Sequence, residues 1–136
     1  VIVADVNLIA YLLLGGPDQA TAQRVFTRDP DWAAPMLWRS EFRSVLATFM
    51  RHRGLSAHDA WRAHELADKL LAGREYTVPG QQVLALVATS PCSAYDCEYV
   101  ALADALAVPL VTADRQLLRA FPDHGISPKH FVTGEV

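Results

Sequence analysis

Residues 95–121 read YDCEYVALADALAVPLVTADRQLLRAF, and most of the architectural information sits in this run. From Tyr95 to Ala107 the apolar residues recur almost all round a helical wheel, the pattern of a helix buried on more than one side. PLVTA (109–113) then reads as a short buried strand, and DRQLLRAF (114–121) begins another helix. A buried helix, a buried strand and a further helix in succession belong to an α/β fold with a parallel sheet covered by helices.

The same alternation extends toward the N-terminus. VIVA (1–4) is a short apolar strand, and VNLIAYLLL (6–14) is an apolar helix stopped by Gly15 and Gly16. Pro17 suits a new helix start, and PDQATAQRVFTR (17–28) continues as that helix until DPDW interrupts it. APMLWRSEFRSVLATFMRHRG (34–54) is read as a third helix, with Leu37, Val45, Leu46 and Phe49 on its apolar face. Ser56 and Asp59 form a capping box before a long helix through Leu71. REYTV (74–78) reads as a second strand and residues 80–88 as a helix, and FV around Phe131 is expected to add a final edge strand.

The chain has 136 residues, 51% hydrophobic and 20% charged, a balance that fits one globular domain over residues 1–136 and excludes extended disorder. Its start at Val1 implies a processed or trimmed chain. The apolar N-terminal stretch has no basic leader and is broken by Asp5 and Asn7, so neither a signal peptide nor a membrane span is expected, and a cytoplasmic location follows. Cys92 and Cys97 are expected to be reduced, buried thiols rather than a disulfide. The five histidines form no HExxH pattern, which leaves zinc hydrolase chemistry without support.

Four carboxylates, Asp5, Glu41, Asp96 and Asp114, stand inside or at the edge of apolar segments. A carboxylate beside core residues carries a desolvation cost of several kcal/mol unless it is paired, hydrogen-bonded or bound to a cation. Asp5 and Asp114 fall at the C-terminal ends of strands, where open parallel sheets place ligands. Asp96 lies in the first turn of its helix, and Glu41 has Leu37 and Val45 at i−4 and i+4, so both are expected to lean inward. Structural alternatives exist for each. Ser93 and Asp96 also fit a capping box, Asp5, Asn7 and Asp114 are good N-caps, and Glu41 has an arginine ion pair as its alternative. Glu98 and Asp104 are second-choice acids.

VIVADVNLIAYLLL, APMLWRSEFRSVLATFMRHR and SAYDCEYVALADALAVPLVTADRQLLRAF together resemble, in order and over nearly the whole chain, the PIN-domain ribonucleases, and most closely the VapC-type toxins of toxin–antitoxin pairs. The resemblance implies an α/β PIN-like domain, a central parallel sheet flanked by helices. It implies that Asp5, Glu41, Asp96 and Asp114 are the catalytic, metal-binding acids for Mg²⁺ or Mn²⁺. It also implies supporting roles for Asn7 and Thr112, the small polar residues two positions from the first and last acids. Some relatives carry a further acid two positions after the last Asp, where this chain has Gln116. A small antitoxin, possessing an arginine that reaches the acids, is the implied partner.

The formal charge of −3 comes from 15 acidic and 12 basic residues; with the four acids set aside, 11 acidic residues face 12 basic ones and the remainder is about +1. Arg39, Arg43 and Arg115 are therefore candidate RNA-phosphate contacts, with Arg51, Arg53 and Arg119 nearby in sequence. The alternative is a solvated helix face. Trp38 on the third helix suggests a homodimer surface. The overall expectation is a metal-dependent endoribonuclease acting as a toxin. Two other classes are open: a PIN-like RNA- or protein-binding module that does not cut, and a haloacid-dehalogenase-type phosphohydrolase. The latter is suggested by the Asp after the first strand and opposed by Asn7 in place of a second Asp.

Overall fold

The computed structural model describes residues 1–135. Its sheet is built from β1 (Ile2–Ala4), β2 (Trp32–Pro35), β3 (Glu75–Tyr76), β4 (Leu110–Val111) and β5 (Gly125–Ile126). All neighbours are parallel, and the spatial order is β3-β2-β1-β4-β5. Ile2 and Val3 pair with Trp32 and Ala33 on one side, while Val3 and Ala4 pair with Leu110 and Val111 on the other. β1 is thus the centre of the sheet. Its residues, like those of β2 and β4, are buried throughout, as a parallel sheet covered on both faces requires.

The helices are α1 (Val6–Leu14), α2 (Gln19–Arg28), α3 (Trp38–His52), α4 (Ala57–Leu70), α5 (Gly80–Ala88), α6 (Ala94–Leu106), α7 (Arg115–Ala120) and α8 (Pro128–Thr133). Right-handed crossovers in this strand order put α1 to α4 on one face and α5 to α7 on the other. The packing agrees: α1 touches α2, α3 and α4, whereas α6 lies against β1, β2 and β4 and is flanked by α5. Cys97, Val100, Ala101, Leu102 and Ala103 of α6 are all buried. Its alanines leave room for the helix to approach the sheet closely.

Two elements differ from the sequence reading. Residues 34 and 35 are not helical: they complete β2, and α3 starts only at Trp38. WAAP lacks the β-branched signal of a strand, yet it is buried between β1 and β3. Ala34 and Met36 donate to the carbonyls of Arg74 and Tyr76 on the β3 side, so Pro35, without an N–H, falls on the other side of the alternation. The expected edge strand around Phe131 is α8 instead. Ser127 accepts a hydrogen bond from the His130 N–H and Pro128 occupies the first turn, a helix start that outweighs the strand preference of Phe and Val. The edge strand is the dipeptide Gly125–Ile126 just before it.

Cys92 and Cys97 are both free and buried. Among the described residues no helix is long and apolar enough to cross a membrane. Because Ala101 is fully packed between α6 and its neighbours, Ala101→Leu is expected to lower the unfolding free energy by about 1–3 kcal/mol through overpacking. Urea denaturation measures this directly. An exposed control on the same helix, Ala105→Leu, should change it by less than about 0.5 kcal/mol.

Candidate metal centre

The strand order reverses between β1 and β4, whose successors β2 and β5 lie on opposite sides. At such a switch point the loops diverge and leave a crevice beyond the carboxyl ends of the strands. Asp5 follows β1 directly and Asp114 lies three residues beyond β4. Asp5 is 6% exposed; its Oδ1 accepts from the Val6 N–H at 2.7 Å and its Oδ2 from the Thr112 hydroxyl at 2.6 Å. The Thr112 Oγ1 in turn accepts the Asp114 N–H at 3.0 Å. Asp114 Oδ1 accepts from the N–H groups of Gln116 and Leu117. One buried hydroxyl therefore joins both loops.

Asp96 comes from the first turn of α6, where its N–H donates to Ser93 Oγ at 3.1 Å. Glu41 stands in the first turn of α3, not in mid-helix, because β2 takes the preceding residues. Its partner is no arginine: the Tyr99 hydroxyl of α6 donates to Glu41 Oε1 at 2.7 Å. The spacing of Tyr99 three residues after Asp96 put it on the same face of α6, but among so many apolar residues it read as core. An open cleft of about 590 Å³ adjoins Glu41, lined by Leu37, Ser40, Ser44 and Tyr95.

The four acids influence one another electrostatically. Burial pushes the Asp5 carboxyl up to about 6, against the hydrogen bonds from Thr112 and Val6, and the charges of Asp96 and Asp114 add to the rise. Glu41 is raised by burial and by Asp5, Asp96 and Glu98, with the Tyr99 bond opposing. Asp96 is raised by burial and then by Asp114. Burial beside Glu41 also pushes the Tyr99 hydroxyl upward, which keeps it a donor. No Lys or Arg forms an ion pair with any of the four acids among the described residues. The donor set is all oxygen and lacks a counter-charge, the composition that suits Mg²⁺ or Mn²⁺.

In these orientations no three His, Cys, Asp or Glu side chains of the described residues converge as a complete cage. Asp5 and Asp114 are turned toward backbone N–H groups, and Glu41 is held by Tyr99. Mg²⁺ fits such a set because it commonly takes only one or two carboxylates directly and keeps several waters. Asn7 is exposed in the first turn of α1 and makes no side-chain hydrogen bond among the described residues. Glu98 is close enough to raise Glu41. Asp104 does not act on Glu41: it bonds His124 at 3.0 Å and lines a cavity of about 620 Å³ beside the opposite ends of α6 and β4.

The arginines divide differently from expectation. Residues two apart on a helix are about 200° apart around its axis, so Arg39 and Arg43 face away from Glu41. Arg39 forms a two-point ion pair with Glu75, through Nε at 2.6 Å and Nη2 at 2.8 Å. Arg43 Nε donates to His64 Nε2 at 3.2 Å. Neither is directed at the acid crevice; only Arg115, adjacent to Asp114, stays beside it. Trp38 is fully buried, its indole N–H bonded to Glu75 at 2.7 Å and its ring stacked on His64. It contributes nothing to an exposed dimer surface. Met50 of α3 and Trp61 and Leu66 of α4 are exposed apolar side chains among the described residues.

No family model matches the chain, and no curated protein matches it in sequence. Solved structures do. The crystal structure of PAE2754 from Pyrobaculum aerophilum superposes with a TM-score of 0.76 at 19% identity, covering 98% of this chain and 94% of that one. A toxin–antitoxin complex from Klebsiella pneumoniae superposes with a TM-score of 0.70 at 15% identity, covering 94% of this chain and 98% of that one. At these identities the likeness concerns the fold, and the α/β architecture with a central parallel sheet is the one expected from the sequence.

Raised carboxyl pKa values have a definite sign. The folded chain binds the Asp5 proton more tightly than the unfolded chain, so the contribution to stability is fully present below pH 3.8 and is lost as pH rises through about 6. At about 1.4 kcal/mol per unit this is on the order of 3 kcal/mol, and Glu41 and Asp96 act in the same direction. In metal-free buffer Asp5→Asn is therefore expected to gain stability relative to the wild type as pH rises from about 4 to about 6.5. Melting temperatures of both proteins across that range check it; parallel curves would show that Asp5 does not titrate with a raised pKa.

Proposed function

We propose that the chain is a Mg²⁺- or Mn²⁺-dependent endoribonuclease with a PIN-like fold, the toxin of a toxin–antitoxin pair acting in the cytoplasm. The observation that carries this reading is that Asp5, Glu41, Asp96 and Asp114, from four separate elements, lie near enough to feel one another's charge and have no basic ion-pair partner among the described residues. The likeness to a toxin–antitoxin complex supports the toxin role.

When bound, a divalent ion at these acids would supply Lewis-acid stabilisation of the phosphodiester and a water of lowered pKa. The acids of the chain would hold it and orient the attacking water. Thr112 keeps Asp5 and Asp114 in fixed relation, and Tyr99 holds Glu41, so their carboxylates meet the ion without first having to be ordered. Arg115 stands beside Asp114 for a substrate phosphate. No protein nucleophile is needed. A haloacid-dehalogenase mechanism would ask Asp5 to attack and a second Asp two positions on to assist, and that position is Asn7. The proposed partners are single-stranded RNA, a small antitoxin covering the crevice, and a second copy of the chain.

Asp5→Asn, Glu41→Gln, Asp96→Asn and Asp114→Asn should each reduce Mn²⁺-dependent RNA cleavage by at least about 100-fold while the far-ultraviolet circular dichroism stays that of the wild type. Full cleavage in EDTA, or by the Asp96 and Asp114 variants, rejects the mechanism; a folded wild type that binds RNA and never cuts it supports the non-cutting module instead. Tyr99→Phe removes the hydroxyl that favours ionised Glu41, so its cleavage rate should require higher pH or more metal than the wild type. Identical pH and metal profiles would deny Tyr99 that role. The toxin assignment predicts that expression arrests growth and that a small protein encoded alongside relieves the arrest.

A further inference from the structure

A second cleft, of about 360 Å³, is lined in part by Ala113 and Arg115, the chain neighbours of Asp114. Its walls are Tyr11 of α1, Asp18 and Thr21 at the start of α2, Arg115 of α7 and Lys129 of α8. Arg115 and Lys129 come from different helices and are both exposed, and neither forms an ion pair among the described residues. Ser127, in the same wall, is already used as the cap of α8, which leaves the two cations and the hydroxyls of Tyr11 and Thr21 facing the cleft without a side-chain partner among the described residues. Two cations directed at one cleft with no internal carboxylate partner make an anion site.

The cleft adjoins the loop that carries Asp114. Ala113 and Arg115, both in its wall, flank Asp114 in the chain. Tyr11 lines the cleft, and burial, then the charges of Asp18 and Asp5, push its hydroxyl pKa upward. Asp18 is the one carboxylate in the wall, and it makes no side-chain capping bond to α2. The formal charge of these side chains is therefore two positive against one negative.

We propose that this cleft holds a backbone phosphate of the RNA next to the bond cut at the acid crevice, with Arg115 and Lys129 as its charged contacts and Tyr11 and Thr21 as hydroxyl donors. The identity of the ligand rests on the ribonuclease reading. A polyanionic chain entering here meets positive charge before it reaches the carboxylates, which would otherwise repel it. Asp18 opposes binding and so weakens the grip on this phosphate, which leaves the test with two variants of opposite sign.

The full chain is titrated with a fluorescent single-stranded RNA in EDTA over a range of salt concentrations. Lys129→Gln and Arg115→Gln should each weaken binding about five-fold and reduce the salt slope by about 0.7, the loss of one phosphate contact, while Lys129→Arg retains both. Asp18→Asn should tighten binding about two- to five-fold. Equal affinities and slopes for all these proteins, or no RNA binding at low salt, overturn the proposal. Poly-glutamate serves as the probe for an acidic protein ligand: binding of it that depends on Lys129, with RNA binding that does not, also overturns the proposal. Adding Mn²⁺ separates the two readings. RNA held in the charge-dependent way but never cut refutes the ribonuclease and keeps the phosphate site; RNA cut with the same KM by wild type and Lys129→Gln does the reverse.

Discussion

The hydroxyl of Thr112 is the joint on which the carboxyl edge of this sheet depends. It donates to Asp5 Oδ2 at 2.6 Å and accepts the N–H of Asp114 at 3.0 Å, across 107 residues of sequence. The backbone ladder between β1 and β4 ends where the Asp5 N–H donates to the Val111 carbonyl at 3.2 Å, and beyond it the loops diverge at a topological switch point, so the side chain takes over. In a fully buried position a lost hydroxyl would leave a carboxylate oxygen without its donor, a cost of about 1–3 kcal/mol. The same bond restrains the Asp5 carboxyl pKa, against the larger effect of burial.

Structural and chemical readings of the acids turn out to be compatible. Asp114 caps α7, Asp5 accepts the first N–H of α1, and Asp96 sits in the capping box that Ser93 begins. A cap uses one carboxylate oxygen and fixes the side-chain rotamer, and Asp114 keeps Oδ2 free of hydrogen bonds among the described residues. Cap geometry thus orients the acids cheaply, by bonds that helix ends require in any case. Glu41 has no such bond, and a tyrosine from a different helix takes its place. Burial first, and then the repulsion among these groups, raises the carboxyl pKa values of Asp5, Glu41 and Asp96.

The α3–α4 side is organised by another charge network. Arg39 joins Glu75, Trp38 donates to the same carboxylate, and His64 lies between Arg43 and Asp68 while stacking on Trp38 and Trp61. This network ties α3, α4 and β3 together. It engages Arg39 and Arg43 away from Glu41, whereas Arg115 and Lys129, which line a cleft together, have no ion-pair partner among the described residues.

Local pattern was sufficient for the buried helix Ala94–Leu106, for β1 and β4 with their following helices, and for Asp5 and Asp114 at strand ends, because apolar periodicity and cap residues act over a few neighbours. It failed at WAAP and at Phe131–Val132. In the first, strand formation comes from neighbours on both sides and not from propensity; in the second, a strong helix start outweighed two strand-favouring side chains. The partner of Glu41, the turning away of Arg39 and Arg43, the burial of Trp38 and the presence of Lys129 and Arg115 in one cleft all depend on residues that are brought together only by the fold. The sequence by itself determined which segments must be buried and which carboxylates would be costly there, since both follow from the chemistry of each residue and its near neighbours. Which charges those carboxylates would meet was decided only by the tertiary structure, because Coulombic and hydrogen-bond partners are selected by distance in space, which the order of residues does not contain.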